Sequence, residues 1–296
     1  MGRPVLVVAN PVSGRGRSLA LARALERELA ARGVPAEVRE TRGPGDAERI
    51  AAEATDATPA LAVVGGDGTL NEIVNGRRGR GYPVALLPSG TANVLGRELL
   101  LPATAAGLAA LLASPRVRRI DLGEANGRLF VSLASAGFDA AVTREIRLSR
   151  RGALSPFSYV VPALRAFREY GFPALSLSIG GLAPKPPALG VVVAKTRNYA
   201  GYFRIARSVR PDDGRLEVCS LAHGRRRALV RYFSALALGR LSRARGVEYH
   251  EGVSEVRIDS DVPVPYQVDG DYAGETPLVV RVLPGALPVV VPEEGS

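Results

Sequence analysis

The sequence is poor in several residue types, and each shortage excludes a class of protein. Its 296 residues include one cysteine, Cys219, two histidines and no tryptophan. A single cysteine cannot form an internal disulfide, and so few cysteines and histidines exclude the usual zinc site built from these two residue types. The cysteine count predicts a protein of the reducing cytoplasm.

Long apolar runs are also lacking. No stretch approaches the roughly 20 apolar residues that a transmembrane helix requires. The N-terminus, Met1–Val5, lacks the apolar core of a signal peptide and leads directly into a polar turn at Asn10. We therefore expect any contact with a membrane to be peripheral.

Lysine is rare, because Lys185 and Lys195 are the only two among 39 basic residues, and the others are arginine. The formal net charge of +10 favours an anionic partner, whether nucleic acid, nucleotide phosphates or an acidic membrane surface. The arginines are dispersed, and they are not interleaved with the aromatic side chains on which bases stack. We therefore interpret them as an arginine-rich surface and predict no nucleic-acid partner.

The pattern of a folded protein with two domains is present. A hydrophobic fraction of 46% and a charged fraction of 23% are typical of an enzyme with a sizeable core. In the first hundred or so residues, short β-prone runs alternate with helical patterns, which indicates a parallel sheet flanked by helices. The predicted strands are Pro4–Ala9, Ala36–Glu40, Leu61–Val64 and Val84–Leu87, and the predicted helices include Ser18–Arg32, Asp46–Thr55 and Thr91–Leu100.

Past Pro115 the pattern changes to short β-prone runs bounded by Gly, Pro or Asp, with helices expected at Ser158–Glu169 and Arg225–Leu238. The sequence therefore predicts an α/β domain with a Rossmann-like parallel sheet at 1–125 and an all-β, β-sandwich-like domain at 126–296, of which roughly the last 15 residues can return to the first domain. The predicted strands of the second domain are Ile120–Leu122, Leu129–Leu133, Leu175–Ile179, Leu189–Ala194, Leu216–Leu221, Val253–Ile258 and Tyr266–Val268.

Three glycine-rich turns follow predicted strands of the first domain, at Asn10–Gly16, Gly65–Thr69 and Pro88–Asn93. The carboxyl ends of parallel strands share one edge of the sheet, so the three turns should face the same crevice. Each turn singly can be no more than a tight corner, but three together favour a phosphate site, because glycines expose backbone N–H groups beside helix N-termini. Asn71 replaces the third glycine of the dinucleotide fingerprint, and no lysine follows a glycine loop as a Walker A motif requires.

Asp67 lies inside the second of these turns. A carboxylate there would repel phosphate unless a cation lay between them, which predicts magnesium held by Asp67 directly or through water. The alternative is that Asp67 only caps its own turn.

With these motifs, the sequence resembles the diacylglycerol kinase catalytic-domain family. The resemblance runs from the first strand to Pro292. The Gly-Gly-Asp-Gly-Thr element is also found in NAD kinases and, more distantly, in phosphofructokinases, whereas the first and last motifs are more specific. The motifs are Asn10–Gly14, Gly65–Glu72, Gly90–Asn93, Asp212–Gly214 and Gln267–Asp271.

The resemblance implies a role for particular residues. The general base would be Asp271, where relatives have glutamate, and Asp67 would serve the catalytic magnesium. A structural magnesium would be bound by the Asp213 carboxylate and the backbone carbonyls of Arg210 and Arg215. The residues expected around ATP are Asn10, Thr41, Gly65, Gly66, Asp67, Gly68, Thr69, Asn71 and Thr91.

Two residues depart from the family pattern. Asp271 is shorter than glutamate but can still accept a hydroxyl proton. Val94 stands where many relatives have aspartate, so an acidic partner for Asp67 is missing at that position.

The resemblance implies a soluble, ATP- and Mg²⁺-dependent lipid kinase that phosphorylates a hydroxyl of a diacylglycerol-like or sphingoid lipid. The first domain would bind ATP and the second the lipid. The arginine surplus would attach the protein peripherally to an anionic membrane, and a homodimer is compatible with relatives that form dimers. Two alternatives stay open: an NAD kinase-like enzyme acting on a soluble substrate, and an inactive nucleotide-binding module.

Overall fold

The computed structural model describes residues 3–149, 160–181, 187–199, 203–222, 224 and 226–293. The chain folds into two compact units. The first comprises residues 1–120 and 285–296, and the second comprises residues 121–284. The chain therefore leaves the first unit once and returns to it near its end.

The first unit is built on a parallel sheet with the strand order β2-β1-β3-β4. The end of the last strand of the chain extends this sheet, because Val289 pairs in parallel with Val84. The strands are β1 (Val5–Ala9), β2 (Ala36–Glu40), β3 (Leu61–Gly65) and β4 (Val84–Pro88). The helices are α1 (Ser18–Ala30), α2 (Asp46–Glu53), α3 (Asp67–Arg77), α4 (Val94–Glu98) and α5 (Ala105–Ala113).

Buried apolar runs explain this arrangement. Every residue of β1 is buried, and so is every residue of β3, as expected for parallel strands covered on both faces. In α1 the buried positions Ala22, Leu25 and Leu29 recur every three or four residues, so one face of the helix packs onto the sheet.

The second unit contains a six-stranded antiparallel sheet with the order β13-β12-β9-β7-β15-β16. Neighbouring strands pair antiparallel throughout. Its strands are β7 (Leu133–Gly137), β9 (Ala188–Ala194), β12 (Leu216–Ala222), β13 (Val247–Val253), β15 (Pro265–Val268) and β16 (Asp271–Glu275).

The other strands lie wholly or partly in this unit. The long β17 (Leu278–Val291) pairs antiparallel with β14 (Glu255–Asp259), and β14 pairs antiparallel with β8 (Ser176–Ile179). β5 (Arg116–Ala125) pairs antiparallel with β6 (Arg128–Phe130), and these five strands belong to the same sheet as β1 to β4. β10 (Asn198–Tyr199) and β11 (Phe203–Arg204) form a separate hairpin. The helices are α6 (Phe138–Ser149), α7 (Val160–Glu169) and α8 (Arg226–Ala237). Over the described ranges, none of the helices is long and apolar enough to cross a membrane.

The predicted fold class, a parallel α/β domain followed by an antiparallel β domain, is confirmed. Some element predictions are wrong in detail. The helix predicted from Thr91 begins at Val94, because Asn93 has a left-handed backbone with φ 49°. The strand predicted at Val253–Ile258 is divided between β13 and β14, and the one predicted at Leu129–Leu133 between β6 and β7. The first residues of the helices predicted from Ser158 and Arg225 lie outside the described residues.

Candidate active site

The three glycine-rich turns meet at the carboxyl ends of β1, β3 and β4. We call them loops 1, 2 and 3, and they comprise Asn10–Gly16, Gly65–Thr69 and Pro88–Asn93. A Cβ atom on Gly14, which has φ +58°, would lie 2.4 Å from the carbonyl oxygen of Ser89, and one on Gly90 would lie 2.6 Å from Cα of Gly66. Both distances are shorter than real Cβ contacts, so only glycine lets the loops approach so closely.

Polar side chains connect the same loops. The buried hydroxyls of Ser18 and Ser89 are 2.8 Å apart, and the Asn10 side-chain amide donates to Oγ1 of Thr69 at 3.2 Å. The Ser89 N–H donates to the Gly65 carbonyl at 3.0 Å. The glycine-rich edge is therefore held together by hydrogen bonds within the first unit, which is the preorganisation that a phosphate site needs.

Asp67 begins α3, and its carboxylate reaches from loop 2 to the start of α4. Oδ2 accepts the N–H of Asn93 at 2.8 Å, and Oδ1 accepts that of Val94 at 2.7 Å. Burial raises the pKa of Asp67 above its ordinary value, while the N–H groups of Val94 and Asn93 oppose that rise. The carboxylate thus connects loop 2 to loop 3 and to the first residue of α4.

The carboxylate oxygens of Asp67 fit a magnesium ion that takes its other ligands from phosphates and water. Each carboxylate oxygen accepts one of these N–H bonds and keeps a further lone pair. Magnesium in kinases is held by one or two carboxylates together with water and phosphate oxygens. Within the ranges that the structure describes, there is no cluster of three or more His, Cys, Asp or Glu side chains suited to a metal, so Asp67 would depend on the nucleotide for the other ligands.

The second unit brings together the three residues expected to bind a structural magnesium, but around an ammonium group. Nζ of Lys195 lies 2.6 Å from the Arg210 carbonyl, 2.6 Å from Oδ1 of Asp213 and 2.8 Å from the Arg215 carbonyl. Oδ2 of Asp121 is the fourth neighbour, at 2.7 Å. A structural magnesium bound by Arg210, Asp213 and Arg215 does not fit here, because the lysine nitrogen occupies its position.

Lys195 affects the pKa of its acidic neighbour, Asp213. Burial acts to raise the pKa of Asp213, but the hydrogen bonds from Lys195 and from the Arg210 N–H outweigh it and keep that pKa below its ordinary value. Asp213 is therefore held as a carboxylate in this cluster.

The Asp-Gly-Asp turn joins β15 to β16. Asp269, with φ 48°, accepts the N–H groups of Val131, Ser132 and Leu133 at 2.8, 2.8 and 3.1 Å. These bonds anchor the turn to the chain just before β7. Asp271 is exposed at the first position of β16.

A polar chain leads from this turn into the interior of the second unit. The Gly270 N–H donates to Oε1 of Gln267 at 2.7 Å, and Nε2 of Gln267 donates to the Ser135 hydroxyl at 2.7 Å. That hydroxyl in turn bonds Asp139. Burial raises the pKa of Asp139, and its hydrogen bonds act against the rise.

Asp139 is one of the residues that line an apolar pocket in the second unit. The pocket is closed on one side by β9 and on another by α8. Its apolar lining includes Phe138, Leu189, Val191, Leu229, Phe233 and Leu236. Such a pocket suits a ligand with hydrocarbon chains.

Two family models match the chain, one for each part. The diacylglycerol kinase catalytic domain matches residues 4–125, and the YegS C-terminal NAD kinase beta sandwich-like domain matches residues 132–291. The chain belongs to the diacylglycerol kinase catalytic-domain family.

Individual relatives agree with this family assignment. A diacylglycerol kinase of Staphylococcus carnosus is 26% identical over 236 residues, which cover 79% of this chain and 77% of the relative. One from Staphylococcus aureus (strain Newman) is 26% identical over 234 residues, or 78% and 73% of the two chains. The crystal structure of a diacylglycerol kinase from Bacillus anthracis aligns with a TM-score of 0.74 at 19% identity, over 98% of this chain and 97% of that one. At that identity the likeness shows the fold.

The other residues that the resemblance assigned to ATP lie in the first unit with loops 1 to 3. Thr41 follows β2, and its N–H donates to the carbonyl of Ala9 in the neighbouring strand at 2.9 Å. Asn71 lies one turn into α3 and is buried, whereas Thr91 is exposed in loop 3. Thr41, Asn71 and Thr91 therefore stay predicted ATP residues of this family member.

Sequence reasoning missed three contributors to these sites: Lys195, Asp269 and Asp139. Lys195 could have been noticed as one of only two lysines in an arginine-rich chain. Asp269 belongs to the same family motif as Asp271, but nothing local shows that its partners are 136 to 138 residues away. Asp139 has no local sequence signal.

Proposed function

We propose that the protein is a lipid kinase that transfers the terminal phosphate of ATP to a hydroxyl of a diacylglycerol-like or sphingoid lipid with the help of magnesium. The observation that carries the proposal is the meeting of loops 1, 2 and 3 with the Asp67 carboxylate between two of them. Family membership supports a phosphotransferase with an alcohol acceptor.

In the first unit, the chain's contribution to catalysis would be binding and orientation. Loops 1 and 2 would present N–H groups to phosphate near the N-termini of α1 and α3, where the helix dipole favours an anion, whereas the first N–H groups of α4 are bonded to Asp67. Asp67 would hold magnesium, which would supply positive charge beside the phosphate oxygens. Thr91 and Gly68, which face open space, leave room for the nucleotide.

In the second unit, Asp271 would act as general base. As the lipid hydroxyl oxygen bonds to the terminal phosphorus and ADP leaves, the hydroxyl proton passes to the Asp271 carboxylate. The anchoring of this turn by Asp269 and Gln267 supports that role, because a base must be held in position while remaining accessible.

The apolar pocket supports a lipid as the acceptor. Val230 and Phe233 on α8 are 55% and 42% exposed, and Phe233 also lines the pocket, so apolar surface continues from solvent into the interior. Exposed Arg226 and Arg227 at the start of the same helix add positive charge beside it. We propose that this face of α8 makes peripheral contact with anionic lipid.

The family model matching the second unit carries an NAD kinase description, which makes NAD phosphorylation the competing function. The test is a radiolabelled-ATP assay that offers dispersed diacylglycerol, phosphatidylglycerol, ceramide, a sphingoid base and NAD to the same preparation. We expect label in at least one lipid and none in NAD. The Asp67→Asn variant, prepared identically, controls for contaminating kinases.

Label in NAD alone would contradict the lipid proposal. Label in no acceptor, combined with ATP binding by calorimetry, would favour an inactive nucleotide-binding module.

A further inference from the structure

The buried ammonium group of Lys195 lies at the centre of four oxygen atoms, which we call the oxygen cage. The cage consists of the backbone carbonyls of Arg210 and Arg215 and one carboxylate oxygen each of Asp121 and Asp213, all 2.6 to 2.8 Å from Nζ. The lysine side chain is 1% exposed. An ammonium group in this position is bound as an ion would be, because only oxygen atoms face it.

The cage is held in shape by its own backbone. Asp213 accepts the N–H groups of Arg210 and Arg215 at 2.9 and 3.1 Å, and Asp121 accepts that of Gly214 at 2.7 Å. The Asp121 N–H donates to the Pro211 carbonyl at 2.7 Å. These bonds turn two carbonyls and two carboxylates towards one point, where they would repel one another without a cation between them.

The ligand types are those of a divalent metal site, but the distances are those of hydrogen bonds. Magnesium binds carboxylate and carbonyl oxygens at about 2.0 to 2.1 Å and calcium at about 2.3 to 2.6 Å. Charge-assisted N–H···O bonds are about 2.7 to 2.9 Å long. The separations around Nζ therefore match an ammonium group, and an ion cannot enter while Nζ is there.

A lysine suits the centre of the oxygen cage better than an arginine would. Nearly every basic residue of the chain is arginine. A guanidinium is a planar fork, whereas an ammonium is a compact charge that can be surrounded by oxygen on several sides. The centre of a cage needs the compact group.

We infer that the Lys195 ammonium is a built-in replacement for a structural divalent cation, so that the fold of the second unit does not depend on metal. The site would take Mg²⁺, Ca²⁺ or Mn²⁺ only if the lysine side chain were removed. This differs from the structural magnesium that the family resemblance implies, and it does not rest on the proposed function.

The test is thermal unfolding of the full chain without nucleotide or lipid, in EDTA and in millimolar MgCl₂, CaCl₂ or MnCl₂. We expect the Tm of the unmodified chain to agree within about 1 °C in all four solutions. Lys195→Ala should lower Tm in EDTA by about 10 °C, since it leaves buried carboxylates without their cation. A divalent ion should restore at least about half of that loss.

Lys195→Met is the matched control, because its side chain fills the same space without a charge. We expect the same loss of Tm and no recovery with any metal. Equilibrium dialysis against Mn²⁺ gives a second readout, with one more bound ion per chain in Lys195→Ala than in Lys195→Met.

Two results would overturn the inference. One is a rise in the Tm of the unmodified chain with divalent ions that persists when Asp67→Asn removes the carboxylate expected to bind metal in the first unit. The other is a Lys195→Ala variant that gains neither stability nor a bound ion. The comparison of the unmodified chain in EDTA and in divalent ions needs no substitution at Lys195. It therefore tests whether the fold depends on metal even if both lysine variants fail to fold.

Discussion

Asp269 and Asp271 are two residues apart, but the first accepts three backbone hydrogen bonds and the second is exposed. The three bonds to Asp269 hold the turn in place, and Asp271 beside it stays accessible, as the proposed general base must be.

We expect Asp271→Ala to lower kcat for lipid phosphorylation by about 10²- to 10³-fold, since it removes the general base. The KM for ATP should stay within about threefold, because the nucleotide residues are untouched. Asp271→Glu should keep most of the activity. The matched control is Asp261→Asn, another exposed aspartate of the second unit, and Asp271→Ala activity equal to that of this control would exclude Asp271 as the base.

The raised pKa of Asp139 predicts that the free energy of unfolding depends on pH. Burial raises its pKa in the folded state above the ordinary value of 3.8, so its stabilising contribution is complete below about 3.8 and is lost as pH rises through the raised pKa. Asp139→Asn cannot ionise, and its stability relative to the unmodified chain should therefore increase as pH rises above about 3.8. A series of urea unfolding curves from about pH 4 upwards measures this, with Asp261→Asn as control. Identical shifts in both variants would rule out a buried, titrating Asp139.

At the scale of elements, the contact between loops 2 and 3 depends on the absence of side chains. Gly90→Ala would place Cβ 2.6 Å from Cα of Gly66, whereas Gly68→Ala meets no protein atom within 4 Å. We expect Gly90→Ala to lower the free energy of unfolding by about 1 to 3 kcal/mol and to raise the KM for ATP.

Gly68→Ala is the matched control for stability, because alanine also favours the helix in which it lies. Its free energy of unfolding should not fall, but its KM for ATP should rise if the nucleotide occupies the space beside it. A Gly90→Ala variant as stable as the unmodified chain would show that the two loops can separate at no cost.

At the scale of the whole molecule, the two units divide the proposed reaction between a polar glycine-rich edge and an apolar pocket. The net charge of +10 belongs to the chain as a whole and favours an anionic surface. In the proposed contact, the exposed apolar residues of α8 would enter the lipid beside the exposed arginines at the start of that helix.

We expect the double variant Val230→Ser, Phe233→Ser to reduce binding to vesicles containing phosphatidylglycerol by about tenfold, since it removes apolar area from the proposed contact. Sedimentation with vesicles measures the bound fraction, and high salt should weaken binding of the unmodified chain. Val262→Ser, at an exposed valine elsewhere in the second unit, is the control. Equal binding by all three proteins, or no dependence on anionic lipid, would contradict membrane contact through α8.

The elements that sequence reasoning predicted well are those with a strong local pattern. The apolar runs of β1 and β3 and the periodic face of α1 were predicted to within a few residues. The helices α5 and α6 were not predicted. The first is a nearly continuous run of alanine and leucine that shows no periodicity, and the second follows β7 with no turn residue other than Gly137.

By itself, the sequence determined the alternation of β1 to β4 with helices and the glycine corners of the first unit, because backbone preference and apolar periodicity act within a few residues of the chain. Only the tertiary structure decided which groups meet. Lys195 contacts Asp121 and Asp213, Asp269 contacts Val131, and Val289 joins β4, all through pairings that local preference does not specify. Those contacts form because buried charges and backbone donors must find partners wherever the packed chain brings them together.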